Sequence, residues 1–330
     1  MGRYLATSRH QEVNSIVIGH CCSWYHFLGL YAYLNSQKKR HQEIHLIHEE
    51  FHQKKTKIPT ELLSKFCEKL EVHESINDIR RIITAKEKTR FNITLITTSN
   101  HPAKLLSLTK RANSSEVVQI EEGIGTYGNF KQLVLAKLRE TKGSHGKALA
   151  LSKTILRSIA ITLFTSNARK ISFLMFSKDG RKTNNDVIIA YKEALQYLSK
   201  HTHCTQSNIS QLIISSPFSE LGMISSQEYT ERLKNHFNEI SDNPFIKAHP
   251  IEEIEKFKNL NMVTDDIPVE ILALKNKPHL KEVYCFSSTA IYTCHLLLEI
   301  TPKRISDLDL FYKKFSPEQR RIIDKCCDII

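Results

Sequence analysis

The chain of 330 residues is longer than one ordinary domain and suits two. Its 41% hydrophobic and 25% charged residues exclude general disorder, and its 10 Gly and 9 Pro exclude a fibrous or linker-dominated protein. Lys and Arg exceed Asp and Glu by 47 − 35 = 12, which indicates an anionic partner: nucleic acid, acidic lipid or a phosphorylated substrate.

Neither a membrane span nor a leader is expected. The most apolar window, 155–176, is interrupted by Arg157, Arg169 and Lys170, whereas a span needs about 20 mostly apolar residues. The N-terminal residues lack the apolar core of a signal peptide, and Ala6 stands where a myristoylation signal has Ser or Thr. Because none of the 8 cysteines forms a CxxC pair, we expect reduced, mostly buried thiols in a cytosolic protein.

In the first half, short apolar runs alternate with helical patterns, which is typical of a parallel sheet with crossover helices. The expected strands are 15–19, 43–48, 92–100 and 116–120, and the first expected helix is 25–34. A segment from residue 60 has helical spacing of its apolar residues, namely Leu62, Leu63, Phe66, Cys67 and Leu70.

The segment 131–182 differs in composition, with twelve Lys or Arg and two Asp or Glu. Apolar residues are interleaved with these charges at helical spacing. The pattern suits a helix on anionic lipid, and equally a solvated pair of helices that covers a sheet. Nucleic acid is disfavoured as the partner because aromatic residues are sparse there and no nucleic-acid motif is present.

In the second half, a helix over 186–198 and a polar connector over 199–208 precede a new alternation. Strands are expected at 211–220, 245–250 and 283–289, a strand or short helix at 267–274, and one or two helices after 306. Ser225 and Glu228 form a capping box for a helix that ends near 237. The chain is therefore expected to be α/β, with Rossmann-like domains at 1–200 and 209–330 and ligands beyond the carboxyl ends of the strands.

Acidic residues stand at two positions that could carry chemistry. Glu121 and Glu122 follow a strand and precede Gly123; two carboxylates this close cannot both ionise easily in a cleft, so one suits a general base. An ordinary acidic turn would have the same sequence. Glu270 lies in an apolar segment expected to be a strand, where it could bind ribose hydroxyls or pair with a lysine.

Anion-binding residues stand at two further strand ends. His249, two residues after Lys247, could bond a phosphate oxygen or protonate a leaving group, although a structural histidine fits as well. Ser287 and Ser288, followed by Thr289, open a helical stretch, where hydroxyls and free N–H groups form either a phosphate site or plain N-caps.

The order of these motifs resembles that of the bacterial sialyltransferases with the GT-B glycosyltransferase fold, which are the capsular polysialyltransferases and the related lipooligosaccharide sialyltransferases. That family has an Asp/Glu-Asp/Glu-Gly motif, a Lys-x-His-Pro motif and a downstream Ser-Ser/Thr motif. They stand here as EEG at 121–123, KAHP at 247–250 and SST at 287–289. The dyad departs from the common pattern, which often contains Asp, and the longer glutamate arms leave open which of the two is the base.

The resemblance implies two Rossmann-like domains that face each other across a cleft, and inverting transfer of sialic acid from CMP-sialic acid to a hydroxyl of lipooligosaccharide or capsule. It implies Glu122 as the base, with Glu121 as the alternative, and His249 as the group that binds or protonates the departing phosphate. The residues implied to bind the donor are Lys247, Pro250, Glu270, Ser287, Ser288, Thr289 and Ser216. The ribose would lie on Glu270, and neither a metal nor a cofactor is expected.

The expected partners are the nucleotide-sugar donor, a glycan acceptor and an anionic membrane surface that binds segment 131–182, with no nucleic acid. The expected location is cytoplasmic, peripheral to the bacterial inner membrane. Two alternatives stay open: the same fold with another CMP-activated acidic sugar such as Kdo, and a non-catalytic protein that binds a polyanion. The acceptor, the linkage, and the choice between single transfer and polymerisation are open as well.

Three other motifs are assigned no role in the reaction. HEEFH at 48–52 matches the zinc pattern HExxH, but it follows a strand-like run instead of lying in a long helix, so a metalloprotease is disfavoured. His201, His203 and Cys204 belong to the polar connector. The DLD sequence at 307–309 is expected at a solvated helix start.

Overall fold

The computed structural model describes residues 14–49, 57–86, 91–98, 103–128, 144–240 and 244–330. These residues form two six-stranded sheets in which every pair of adjacent strands is parallel. The strands of the first sheet are β1 (Asn14–Cys21), β2 (His41–His48), β3 (Cys67–His73), β4 (Phe91–Thr97), β5 (Ser114–Ile120) and β6 (Arg169–Phe173). The strands of the second are β7 (Gln211–Ile214), β8 (Phe245–Lys247), β9 (Asn261–Met262), β10 (Glu282–Cys285), β11 (Lys303–Arg304) and β12 (Asp328–Ile329).

The two sheets have the same strand order. The first reads β3-β2-β1-β4-β5-β6, and the second reads β9-β8-β7-β10-β11-β12 from its other edge. Both are the 3-2-1-4-5-6 order of a Rossmann domain, in which ligands bind beyond the carboxyl ends of the strands. The expected α/β class with two Rossmann-like domains is confirmed, while the exact boundaries at 200 and 209 stay a prediction.

The helices cover the faces of the two sheets. They are α1 (Trp24–Gln37), α2 (Ile76–Ala85), α3 (Ala103–Leu106), α4 (Ser144–Phe164), α5 (Asn185–His201), α6 (Ser226–Ile240), α7 (Val269–Asn276), α8 (Thr289–Thr293) and α9 (Pro317–Cys326). The side chain of Ser23 caps α1 by accepting from the His26 amide at 3.3 Å, and Lys38 ends the helix with φ +48°. None of the described helices is both long and apolar enough to cross a membrane.

Strand β1 shows why the inner strands have nearly continuous apolar sequences. Val17 packs in a core with α1 and α5, whereas Ile16 and Ile18 pack on the opposite face with Ile79 of α2. A strand with helices on both faces must be apolar at successive positions. All 8 cysteines are free thiols and most are buried, as expected.

The structure corrects several expected elements. The segment from residue 60 is a 3₁₀ helix over Thr60–Phe66 followed by β3, and not one longer helix. Strand β6 lies within the segment 131–182, of which 131–143 is outside the described residues. The stretch 267–274 is largely helical, which is one of its two expected forms, whereas the C-terminal tail contributes β12 as well as α9.

Candidate active site

Glu121 follows β5 and is 0% exposed. Its Oε1 accepts from the Tyr127 hydroxyl and from the Met175 amide at 2.6 Å, and its Oε2 accepts from the hydroxyls of Tyr25 at 2.9 Å and Tyr292 at 2.7 Å. Burial raises the pKa of Glu121, and these hydrogen bonds oppose that rise. Because four donors occupy a carboxylate that has about four acceptor sites, Glu121 is a structural acceptor in this conformation.

The EEG loop contacts the SST turn directly, although the two motifs belong to different sheets. The Ile124 amide donates to Thr289 Oγ1 at 3.1 Å, and Gln319 Nε2 of α9 donates to the Ile124 carbonyl at 3.0 Å. Gly123 has φ +116°, and a Cβ built there would lie 2.2 Å from Thr289 Oγ1. Only glycine allows this approach.

Glu122 differs from its neighbour because it is only half-buried. Its amide donates to Thr126 Oγ1 at 2.7 Å, which fixes the loop. Burial, then Glu49, then Glu122 raise the pKa of the Cys22 thiol to about 11, so Glu122 lies close to the residues that follow β1. The Glu122 carboxylate is therefore at the carboxyl edge of the first sheet and within reach of solvent.

The second sheet brings its motifs to one edge in the same way. Ser215 and Ser216 follow β7, His249 comes shortly after β8, and Ser287 follows β10. Strand β7 lies between β8 and β10, and adjacent strands are about 4.8 Å apart. The KAHP and SST motifs therefore stand on either side of β7, about 10 Å apart.

The turn that carries His249 is held by a buried acid. Glu252, 2% exposed, accepts from the Ser215 hydroxyl and from the His249 amide at 2.6 Å, and it pairs with Lys256 at 2.8 Å. The His249 Nδ1 accepts from the Ile251 amide at 3.4 Å. A neutral His249 ring with this bond carries its proton on Nε2, where it can donate to an anion.

The two serines of the SST motif have different roles. The Ser287 hydroxyl donates to Asp309 Oδ2, and its amide donates to the same oxygen at 2.9 Å. Asp309 is 7% exposed and also accepts from Arg304 at 3.2 Å, so the expectation of a solvated helix start at DLD is wrong for this residue. Within the described residues the buried hydroxyl of Ser288, the N-cap of α8, has no hydrogen-bond partner.

Glu270 is buried, but it lies in the first turn of α7 and not in a strand. The Thr293 hydroxyl donates to its Oε1 at 2.8 Å, so a hydroxyl, and not the lysine considered from the sequence, is the side-chain partner seen here. Burial raises the pKa of Glu270. Thr293 ends α8, whose start carries the SST motif, so Glu270 packs beside the same short helix.

The other residues implied to bind the donor lie around the same edge. The Lys247 ammonium donates to the Asp265 carbonyl, and burial lowers the pKa of this lysine. Ser216 is buried, with its amide directed at the Tyr229 hydroxyl at 3.2 Å, and Pro250 is exposed. Their roles toward a donor stay predictions.

Sequence reasoning missed the tyrosines around Glu121. Tyr25 lies in the first turn of α1, Tyr127 follows the EEG motif and Tyr292 lies in α8, and none of the three belongs to a motif that marks it as a site residue. The HEEFH match is not helical where it is described, because His48 ends β2, and residues 50–52 lie outside the described part. In the connector, Cys204 donates to Asp265 Oδ2 at 3.3 Å.

Comparison with known proteins agrees with the motif order. A family model described as alpha-2,8-polysialyltransferase (POLYST) matches residues 30–304, which confirms the family resemblance. Two similar solved structures are the UDP-GlcNAc 2-epimerase from Methanocaldococcus jannaschii (8% identity, TM-score 0.49, 94% of this chain and 90% of that chain) and MurG from Acinetobacter baumannii (8% identity, TM-score 0.42, 96% and 86%). No curated protein matches the sequence.

Proposed function

Because the chain belongs to the alpha-2,8-polysialyltransferase family and is a glycosyltransferase, we propose that it moves sialic acid from CMP-sialic acid to a hydroxyl of a surface glycan, with inversion at the anomeric carbon. The contact between the EEG loop and the SST turn carries the proposal, since Ile124 and Thr289 are joined at 3.1 Å. Sites at the carboxyl ends of two Rossmann-like sheets thereby become neighbours, as a reaction between a donor and an acceptor requires.

Glu122 is the proposed base that deprotonates the acceptor hydroxyl. It is half-buried at the carboxyl edge of the first sheet, whereas four hydrogen-bond donors engage Glu121. A base must lie within hydrogen-bond reach of the hydroxyl it deprotonates, and only the more accessible of the two glutamates meets that condition without rearrangement.

His249 and Ser288 are the proposed donors to the departing phosphate. Because the Ile251 amide donates to Nδ1, a neutral His249 carries its proton on Nε2, an N–H that can donate to an anion. The buried Ser288 hydroxyl lacks a partner within the described residues. An unpaired buried hydroxyl costs about 1–3 kcal/mol, which a phosphate oxygen would recover. Fixed donors aimed at the charge that grows on CMP stabilise the transition state, so the scheme uses no metal.

The ribose is proposed to bind beside Glu270, whose carboxylate already accepts one hydroxyl, that of Thr293. A carboxylate can accept further hydrogen bonds from a vicinal diol. In this proposal the donor also contacts Lys247, Pro250 and Ser216, which lie at the same edge of the second sheet.

CMP release from CMP-sialic acid tests the assignment. We expect the rate to fall about 10²–10⁴-fold in Glu122→Gln and in His249→Ala, because acid–base groups contribute that much. The exposed Glu255→Gln and His279→Ala are matched controls and should retain wild-type rates. Unchanged release in both active-site variants would contradict the roles. CMP-Kdo, assayed in parallel, tests the alternative donor, and binding of polysialic acid without any CMP release would indicate the polyanion-binding alternative.

We also propose that α4 attaches the enzyme to an anionic membrane surface, as a peripheral protein of the cytoplasmic face. Exposed large apolar side chains, each 38% exposed or more, lie along this helix: Leu149, Leu151, Ile155, Leu156, Ile159 and Leu163. At 100° per residue they fall within one arc of about 160°. Ile161 and Phe164, on the other side, pack against the core of the first sheet.

Liposome flotation tests this attachment. We expect the protein to float with vesicles that contain an anionic lipid, and Leu156→Gln with Leu163→Gln to weaken binding at least tenfold, because burying one leucine contributes about 1.5–3 kcal/mol. Leu221→Gln, exposed elsewhere in the chain, is the control. Flotation that does not respond to anionic lipid would refute the attachment.

A further inference from the structure

A second polar cluster lies at the β3 edge of the first sheet, away from the candidate active site. It contains His45 of β2 and Glu71 and His73 of β3. His45 Nδ1 is 3.1 Å from His73 Nε2 and 3.3 Å from Glu71 Oε2, and those two atoms are 3.6 Å apart. Three atoms that can each act as a metal ligand therefore lie within 3.6 Å of one another.

The strand register produces this convergence. In the parallel pair β2 and β3, His45 stands opposite Glu71, and Ile47 stands opposite His73. Side chains alternate along each strand, so all three polar residues project from the same face. His45 is 0% exposed, while the side chains of Glu71 and His73 are 30% and 12% exposed, so the centre is reached from one side.

The distances match those of a tetrahedral zinc centre. Zinc lies about 2.0–2.2 Å from imidazole nitrogen and carboxylate oxygen, which places tetrahedral ligand atoms about 3.4 Å apart. The observed separations of 3.1, 3.3 and 3.6 Å surround that value. A second cluster of three such groups, His20, Cys22 and Glu49, has the Cys22 sulfur 3.9 Å from His20 Nε2.

When His45 is neutral and Glu71 is ionised, the three facing atoms share at most one hydrogen. His45 Nε2 faces Glu43 Oε2 at 2.9 Å, so a neutral His45 carries its proton there and presents a bare lone pair at Nδ1. That lone pair faces the Glu71 oxygen at 3.3 Å, and the His73 ring is the one side chain of the three that can supply a proton. A cation would satisfy all three acceptors at once.

The residues around the three ligands make the contacts that usually orient the ligands of a metal site. Glu43 orients His45 through Nε2 and is itself paired with Lys86, while Lys69 holds the second oxygen of Glu71 at 2.5 Å. Histidine ligands of metals usually donate their other N–H to a carboxylate in this way.

We propose that His45, Glu71 and His73 bind one Zn²⁺, with water as the fourth ligand, and that the ion fixes the edge strand β3 to the sheet. Four strand spacings separate β3 from β5, which is about 19 Å, so the ion has a structural role and takes no part in sialyl transfer. The inference does not depend on the proposed function.

Zinc titration of the chelator-treated full chain, with a chromophoric chelator as competitor, tests the site. We expect one equivalent of Zn²⁺ and a higher melting temperature on binding, both lost in His73→Gln and Glu71→Gln. Glu43→Gln should bind zinc about 10–100-fold more weakly, because it replaces the charged outer partner of His45 with a neutral amide. His203→Gln, exposed and far along the chain, is the matched control, and His20→Gln reports on the second cluster.

The proposal fails if the wild type binds no stoichiometric zinc, or if His73→Gln and His203→Gln bind it equally. Loss of binding in His20→Gln alone would assign the metal to the other cluster and equally overturn the proposal. Since His73 is at the end of an edge strand, its variant is expected to fold, and urea unfolding without zinc checks this. Unaltered CMP release after chelation would agree with a structural ion and leave the proposed transfer reaction intact.

Discussion

Replacement of Glu121 by glutamine separates the roles of the two adjacent glutamates. Glutamine has the same shape but keeps one acceptor oxygen, which must face the Met175 amide because a buried N–H opposite an NH₂ group would lose its partner. The hydroxyls of Tyr25 and Tyr292 then face the NH₂ group. Each of these hydroxyls loses a hydrogen bond to a charged acceptor.

The magnitude follows from those contacts. A hydrogen bond to a charged group contributes about 1.5–3 kcal/mol, and a neutral bond about 1 kcal/mol. The Tyr25 and Tyr292 hydroxyls, 3.1 Å apart, can bond each other and so recover one neutral bond. We therefore expect Glu121→Gln to lower the free energy of unfolding by about 3 kcal/mol. Glu122→Gln, half-buried, should stay within about 0.5 kcal/mol of wild type.

Urea unfolding and CMP release, both measured on Glu121→Gln and Glu122→Gln, distinguish the two roles. Glu121→Gln should be less stable and retain measurable turnover per folded molecule, whereas Glu122→Gln should be stable and inactive. The reasoning is refuted if Glu122→Gln is as destabilised as Glu121→Gln, or if Glu121→Gln is fully stable and loses turnover, since Glu121 would then be the base.

Two further predictions concern the loop and the second sheet. Gly123→Ala should lower the free energy of unfolding by about 2–4 kcal/mol, because φ is +116° and the new Cβ overlaps Thr289 Oγ1. Adding Thr289→Ala should restore part of this loss. If the losses of the two single variants simply add in the double variant, the overlap is not the cause. Hydrogen bonds, first from Lys303, lower the pKa of Glu282 to about 2. The stabilisation from Glu282 is therefore complete above its ordinary pKa near 4.5 and is lost as the pH falls toward 2. The free energies of unfolding of wild type and Glu282→Gln, measured in urea, should differ most at pH 6 and least near pH 2. A difference that stays constant with pH would contradict this assignment.

In the first sheet the inner strands were predictable and the edge strands were not, for a physical reason. Inner strands such as β1 and β5 are covered on both faces and have apolar runs, which the sequence shows directly. Strands β3 and β6 are the edges of the first sheet, and they contain charges, as in CEKLEVH and RKISF. Edge strands tolerate such charges, so their sequences resemble helix or loop.

The site could be predicted down to its strand ends and no further. Motif order located EEG, KAHP and SST, but the roles of neighbouring residues depend on partners far away in sequence. Which glutamate turns inward is determined by Tyr25, Tyr127 and Tyr292. Likewise Asp309, from the C-terminal tail, engages Ser287 and leaves Ser288 without a partner among the described residues. No local pattern contains that information.

The Glu121 loop also limits how this enzyme can be recombined with relatives. Tyr292, Thr289 and Gln319 all come from the second half of the chain, yet each bonds to Glu121 or Ile124 in one short loop of the first half. A chimera that exchanges the C-terminal half must carry a compatible set of these three side chains. Without them, the buried Glu121 carboxylate would lose a hydrogen-bond donor. The two halves would also lose the contacts that fix their relative position, even if each half folded well alone.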